Sequence, residues 1–330
     1  MLKLKKFVFP LLVLFIVACE NEVDLNTDFE ETTVVFGFLD KNADTQFVKI
    51  SKTFIDDQLS AIDVAKQSDR LFYDTLEVSL IEGTNGPVFP LSKMQKPKDP
   101  GTFATDRNDI YFTTARLKSN TSYRLRIKKA DSTITYGQTT TIDTIIITSP
   151  NLGFPISVHS VSFINRDFRF NPQAFIFNPG NNVAELEVIG WFHYTEIIGN
   201  DSIPKRVRFP IRNFSSGPFE VRYDGERFFR SLEEQVPAST SPTKKIIEDF
   251  NNIEIEIFAS DADLKFFREL NGPIEGLAQV RPEFTNIENG IGIFSSRFKM
   301  SEFTRIDQNT RIYLFQTYRN NRNFSATGGN

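Results

Sequence analysis

From Thr33 to Thr140 apolar and polar residues alternate with a period of two, the pattern of strands buried on one face. Thr33–Leu39 (TVVFGFL) and Phe47–Phe54 (FVKISKTF) are rich in β-branched and aromatic residues. Asp40-Lys41-Asn42-Ala43-Asp44 separates them, so the two runs predict a hairpin. Thr75–Glu82, Val88–Leu91, Ile110–Thr113, Tyr123–Lys128 and Ile134–Thr140 continue the series. Between them, Leu59, Ile62 and Ala65 stand three residues apart within Asp56–Arg70, which predicts a helix or a structured insertion.

Ile147–Pro155 brings two prolines and a glycine and marks a boundary. Beyond it Ser157–Phe163, Ala174–Asn178, Glu185–Ile198, Val207–Ile211, Glu220–Tyr223, Ile253–Ala259, Ile291–Phe298 and Arg311–Tyr318 read as strands. Ser241-Pro242 ahead of Thr243–Phe250, and Ser260 or Asp261 ahead of Ala262–Leu270, read as capped short helices, with Gly272-Pro273 ending the second. The expected fold is mainly β. About seven strands over 32–146 match the count of an immunoglobulin/fibronectin-like sandwich, and 147–330 form a second β-rich domain with two short helices. No repeat of fixed period occurs. Leu117-Lys118-Ser119-Asn120-Thr121-Ser122-Tyr123 resembles the L-x-P-x-T-x-Y run of fibronectin-type domains, with Ser119 where that run has proline. The resemblance makes Tyr123 a structural residue whose hydroxyl returns to the corner backbone.

Ahead of the strands the pattern is of another kind. Lys3, Lys5 and Lys6 precede Phe7–Val17, an apolar run too short to span a bilayer as a helix, and the two together have the layout of a secretory signal. The run closes in Ile16-Val17-Ala18-Cys19, which resembles a bacterial lipobox. Ala18 suits the position before the cut, and Cys19, the single cysteine of the chain, becomes an acylated N-terminus; Ile16 stands where leucine is commoner. Residues 1–18 are then a lipoprotein signal peptide. A second acyl chain makes such anchoring stable. Glu20, Glu22 and Asp24 follow at once and resemble the acidic surface-export signal of Bacteroidota lipoproteins, which implies the exterior face of the outer membrane. Residues 19–31 as a whole read as an acidic tether.

Charge and composition narrow the function. With 38 basic and 42 acidic residues the net charge is -4, so nothing draws the chain as a whole to nucleic acid. Removing residues 1–18 deletes three lysines and no acid, leaving 35 basic to 42 acidic side chains. Two histidines, His159 and His193, and one cysteine are few for a zinc site, and no cofactor is expected. Asp40-x-Asn42-x-Asp44 imitates the start of a calcium loop, but Thr45 replaces the glycine and Ser51 the bidentate glutamate, so a hairpin turn is the better reading. The S-x-x-K pairs at Ser241–Lys244 and Ser296–Lys299 lack the companion motifs of serine hydrolases, and no nucleophile elbow or phosphate loop is present. Glu254 and Glu256 alternate with Ile253, Ile255 and Ile257, which predicts both acids on a solvent face. No catalytic residue emerges, and an enzyme is not expected. Asp74-Thr75, Asp131-Ser132, Asp143-Thr144 and Asp201-Ser202 resemble the O-glycosylation sequon of Bacteroidota envelope proteins.

Binding has more to work with. Lys205–Arg212 alternates, so Arg206, Arg208 and Arg212 are expected on one face and Val207, Phe209 and Ile211 on the other. Arg222, Arg227 and Arg230 follow, concentrating positive charge that suits an anionic ligand or an acidic partner surface.

Taken in order, Val34–Leu39 with Val48–Thr53, Ile255–Leu270, and Asn286-Ile287-Glu288-Asn289-Gly290-Ile291-Gly292-Ile293-Phe294 resemble an uncharacterised family of Bacteroidota outer-membrane lipoproteins, a domain of unknown function. That resemblance implies a surface-anchored outer-membrane protein, a partner among TonB-dependent receptors, and a role as accessory binding subunit in nutrient capture. The alternative is a structural or adhesive cell-envelope protein without a transported ligand. The family supplies no catalytic residues.

Overall fold

The computed structural model describes residues 30–54, 59–152, 159–238, 244–272, 283–317 and 322–326. Cys19, Glu20, Glu22 and Asp24 lie outside them, as do 1–29 as a whole. The protein is mainly β. β1 (Thr33–Leu39) and β2 (Gln46–Lys52) make the expected hairpin, and Asp56–Arg70 contributes, in its described part, one-turn α1 (Ala61–Val64) and the start of α2 (Ser68–Leu71). β3 (Leu76–Glu82), β4 (Val88–Pro90), β5 (Ser92–Gln95), β6 (Asp109–Thr113), β7 (Ser122–Lys129) and β8 (Ile134–Thr140) follow. One sheet runs β1-β2-β6-β5 and the facing one β4-β3-β7-β8. This is the immunoglobulin/fibronectin sandwich arrangement. Val35, Val48, Ile50 and Tyr111 from the first sheet share a core with Val78, Leu80, Leu125 and Ile127 from the second. Each such aliphatic side chain contributes about 1.5–3 kcal/mol when fully buried.

Tyr123 is completely buried, and its hydroxyl accepts the Lys118 N–H at 2.9 Å and donates to Glu82 Oε2 at 3.3 Å. The corner expected from the sequence is therefore built. Tyr123→Phe leaves the Lys118 N–H without its partner and lowers stability by about 1–3 kcal/mol. Denaturant unfolding reads the loss, and an unmoved midpoint would show that packing alone holds the corner.

The rest of the chain adds β9 (Ile146–Ser149), β10 (Gln173–Asn178), the long hairpin β11 (Glu185–Ile198) and β12 (Asp201–Ser215), β13 (Glu220–Tyr223) and α3 (Gly225–Gln235). Then come β14 (Lys244–Ile247), β15 (Ile253–Ser260), α4 (Ala262–Asn271), β16 (Ile287–Glu288), β17 (Ile291–Thr304), α5 (Gln308–Ile312) with a π-helical turn at Tyr313–Thr317, and β18 (Phe324–Ala326). The main sheet runs β18-β14-β11-β15-β17 and continues through a parallel β17–β1 pair into the sandwich, while β12 pairs along the other edge of β11. β16 pairs along the edge of β8, at Tyr136 and Gly137. Main-chain pairing thus crosses the boundary read at residue 147. β17 serves both halves: Phe294 lies in the sandwich core and Phe298 in the second core. The small sheet β9-β10-β13 and α3 cover that second core, where Phe163 stacks on Phe228 at 4.2 Å and Phe209 meets both edge-on at 5.8 and 5.3 Å. Aromatic pairs in these geometries add about 0.5–1.5 kcal/mol beyond their buried area, which gives the phenylalanine-rich composition a place.

Three local expectations are corrected, and one helix comes without an expectation. Thr243–Phe250 is not a helix in its described part, because Lys244–Ile247 is drawn into the sheet as β14 between β11 and β18. Arg311–Tyr318 is not a strand over the residues described, since Asp307 caps the helix by accepting the Thr310 N–H at 2.9 Å. Of Ser157–Phe163, the described residues make only an isolated bridge from Val161 to Ile306. The sequence reading missed α3, although Asp224 caps it through the Glu226 N–H and Phe228, Phe229 and Leu232 recur at helical spacing.

Candidate functional site

Strand alternation divides the second half into a core face and an outer face. Val188 and Phe192 of β11, Val207 and Phe209 of β12, and Ile253, Ile255 and Ile257 of β15 point into the core. Their neighbours Trp191, His193, Arg206, Arg208, Glu254 and Glu256 are consequently brought together on the other side. There they form a ladder. Trp191 Nε1 donates to Glu256 Oε2 at 3.0 Å, Lys299 Nζ of β17 lies 2.7 Å from Glu256 Oε1, and His193 Nε2 is 3.0 Å from Glu254 Oε2. The Arg206 guanidinium stacks over the Trp191 ring at 3.8 Å and stands 3.9 Å from Glu254, while Arg208 pairs with Glu187 at 3.6 Å.

Glu254 and Glu256 are therefore not on a solvent face: they are 9% and 8% exposed. The alternation is as expected, but long side chains from both neighbouring strands roof the acids. Burial works against the Glu256 carboxylate, yet the hydrogen bonds from Lys299 and Trp191 and the Lys299 and Arg206 charges hold it below the usual carboxylate range.

The expected arginine face is present only in part. Arg206 and Arg208 adjoin, but Arg212 leaves them. Register passes from Ile189 opposite Pro210 to Val188 opposite Arg212, so Ile211 is an extra residue in β12 and Arg212 comes to pair with the core-facing Val188. Its guanidinium is taken up by the Pro218 carbonyl, by the Ser215 carbonyl at 3.0 Å and by Ser215 Oγ at 2.8 Å, and burial lowers its pKa. Arg212 holds a turn. The two arginines that remain already face acids, so the surface is a mixed-charge ladder and not a basic patch.

What the sequence did not signal is the groove beside that ladder. α4 crosses the outer face, with Phe267 edge-on to Phe36 of β1 at 6.2 Å, and Arg268 pairs with Glu185 while lying over the Phe214 ring at 3.8 Å. Between helix and sheet a groove of about 540 Å³ is lined by Phe38, Phe214, Phe258 and Phe267, with Arg268, Arg297 and Lys299 among its charged residues. Asp40 sits in its wall, its carboxyl raised by burial, and accepts the Asn42 N–H at 3.0 Å as an ordinary hairpin turn would require. Among the described residues no group of three or more histidine, cysteine, aspartate or glutamate side chains is arranged to hold a metal ion. The arrangement offers an apolar slot with placed charges, suited to binding. Comparison with protein-family models, with curated proteins and with solved structures finds no match to this chain.

Proposed function

We propose that the protein is a binding subunit held at the outer face of the outer membrane by a lipid on Cys19, an accessory to a TonB-dependent receptor in nutrient capture. The groove beneath α4 carries the binding part of this reading, because four phenylalanines beside guanidinium and ammonium groups open on a face that ion pairs otherwise close. Ligand and partner sites have this make-up, an apolar interior with few, placed polar groups. The lipobox-like run supports the anchor, and the resemblance to outer-membrane lipoproteins supports the receptor pairing.

Each part has its own test. Metabolic labelling with a fatty acid marks the native chain, and Cys19→Ala loses the label; label that persists would overturn the anchor. Pull-down of a receptor from detergent-solubilised outer membrane tests the binding. Phe214→Ser replaces a ring that is 38% exposed at the groove, and recovery is expected to fall about tenfold, equivalent to about 1.4 kcal/mol. Arg206→Glu with Arg208→Glu is the second arm, and Arg212 is left alone because it supports the fold. If the ladder also docks, that pair weakens recovery and rising salt weakens the native interaction, since exposed charges are screened over about 10 Å at 0.1 M. Equal recovery throughout, with circular dichroism unchanged, favours the structural or adhesive reading.

A further inference from the structure

We infer that the outer face of the sandwich sheet, formed by β2, β6 and the loop from Lys96 to Asn108, docks on an anionic lipid surface. Strand alternation turns Val48, Ile50 and Tyr111 into the sandwich core and leaves Phe47, Lys49, Ile110 and Phe112 on the opposite side. Phe47 stands opposite Phe112 across the two strands, with ring centres 6.5 Å apart. Asn108 ties the base of the loop to this face. Its side-chain amide donates to the Lys96 carbonyl at 3.1 Å, and its Oδ1 accepts Lys49 Nζ at 3.1 Å. The loop thereby sets Lys96 Nζ over the Phe47 ring at 3.4 Å, and Lys98 Nζ over the Phe103 ring at 5.1 Å.

Three half-buried lysines therefore meet on an aromatic floor. None of Lys49, Lys96 and Lys98 pairs with a carboxylate among the described residues, although Asp99 and Asp106 belong to the same loop. Asp106 is engaged by the Ser68 hydroxyl at 2.9 Å, and Arg107 of the loop is already spent on Asp109 and Asp74. The ammonium groups rest on rings and on neutral acceptors, Asn108 for Lys49 and the Ala104 carbonyl at 3.3 Å for Lys98. Like charges gathered without an acid repel: burial, and then the Lys98 charge, lower the Lys49 pKa. An anionic layer laid over the face relieves this. The rings supply the apolar half of the contact, Phe47 being 36% and Phe103 50% exposed. Rings that enter the boundary between headgroups and acyl chains, beside lysines whose stems lie along them and whose heads reach the phosphates, are the make-up of an interfacial surface. Carboxylates of a partner protein are better matched by guanidinium forks, whereas ammonium point charges suit a dense field of phosphates without fixed geometry. Past residue 18 the chain has 35 basic to 42 acidic side chains, so a local concentration of this kind is what can draw it to an anionic surface. None of these residues lines the groove beneath α4, and the test below needs no receptor, so its failure leaves the proposed function standing.

Residues 20–330 retain every described element and carry no lipid. Their co-sedimentation is measured with vesicles of phosphatidylcholine alone and of phosphatidylcholine mixed with phosphatidylglycerol. Binding to the mixed vesicles only is expected, weakening as salt rises. Lys49→Gln, Lys96→Gln and Lys98→Gln together should weaken it about a hundredfold, at roughly fivefold for each lysine near such a surface. Lys66→Gln, Lys128→Gln and Lys205→Gln make the same change of charge elsewhere and should leave it within about threefold of native. Phe47→Ser with Phe103→Ser should weaken it at least tenfold at unchanged charge, with circular dichroism showing each fold intact. Equal recovery on both vesicles, or equal losses from the two lysine triples, would overturn the assignment. So would binding to soluble polyglutamate as tight as to vesicles and indifferent to the phenylalanine pair, which would give the face to an acidic protein instead.

Discussion

Asp261→Ala is expected to lower the unfolding free energy by about 3–5 kcal/mol, because four donors lose their acceptor at once and each buried donor left unpaired costs about 1–3 kcal/mol. Asp261 is 4% exposed and both carboxylate oxygens are in use. Oδ1 accepts the Leu264 N–H at 2.9 Å, which caps α4, together with Ser295 Oγ of β17. Oδ2 accepts the Ser296 N–H at 2.8 Å and the Thr139 Oγ1 of β8 at 3.0 Å. One side chain thus ties the roof of the groove to the main sheet and to the facing sheet of the sandwich. Burial lifts its carboxyl above the ordinary value against the pull of these four donors. Asparagine should not rescue the variant, because each oxygen meets a main-chain N–H and an amide nitrogen cannot accept from either. Denaturant unfolding of the native, Ala and Asn forms measures this. Full rescue by Asn would show that one oxygen suffices, and Asp261→Ala should also lose whatever the groove retains.

Gly292→Ala is expected to cost about 3 kcal/mol or more, the sum of a strained backbone and an overpacked contact. Gly292 has φ +110°, and a Cβ there would stand 2.1 Å from the Val35 carbonyl oxygen. Val35 is its partner in the parallel β1–β17 pair, so neither strand can yield without parting the join between the two halves. Gly83 is the control: its φ is +62°, but nothing lies within 4 Å of its would-be Cβ. Gly83→Ala then carries only the left-handed penalty of roughly 1–2 kcal/mol. Equal midpoints for the two variants would mean that backbone conformation, not the join, sets the cost.

These two sites show where the sequence is legible. The sandwich strands could be read because each is half buried, so the period of two survives in residue type, and Tyr123 sits at the corner its motif assigns. β15 misled because its Glu and Ile also alternate, while the structure buries both faces; polarity marks the sides of a strand, not what covers them. The bulge at Ile211 that withdraws Arg212 has no signature in residue type. Lys244–Ile247 is a strand because β11 and β18 flank it, a contact that local propensity does not carry. The Asn-Ile-x-Asn-Gly run, the most specific part of the resemblance, turns out to be a seam. Asn286 bonds both main-chain groups of Phe294 at 2.8 and 2.9 Å, and Asn289 bonds the Ile134 carbonyl at 3.0 Å. The groove could not be read at all, since its phenylalanines come from four separate elements.

The parallel join has a bearing on how the protein is made. A ribosome delivers β1 well before β17, so the edge of β1 that β17 covers stays bare while the residues between them are synthesised. A bare strand edge is a template for pairing with other chains, and contacts this distant in sequence are slow to form. The amino-terminal sandwich forms both its sheets from its own strands, but its β1 edge is covered only when Ile291 to Ser296 arrive, and the same segment brings Phe294 into its core. Completion of the earlier-made half is in this way a check that the later-made half is present.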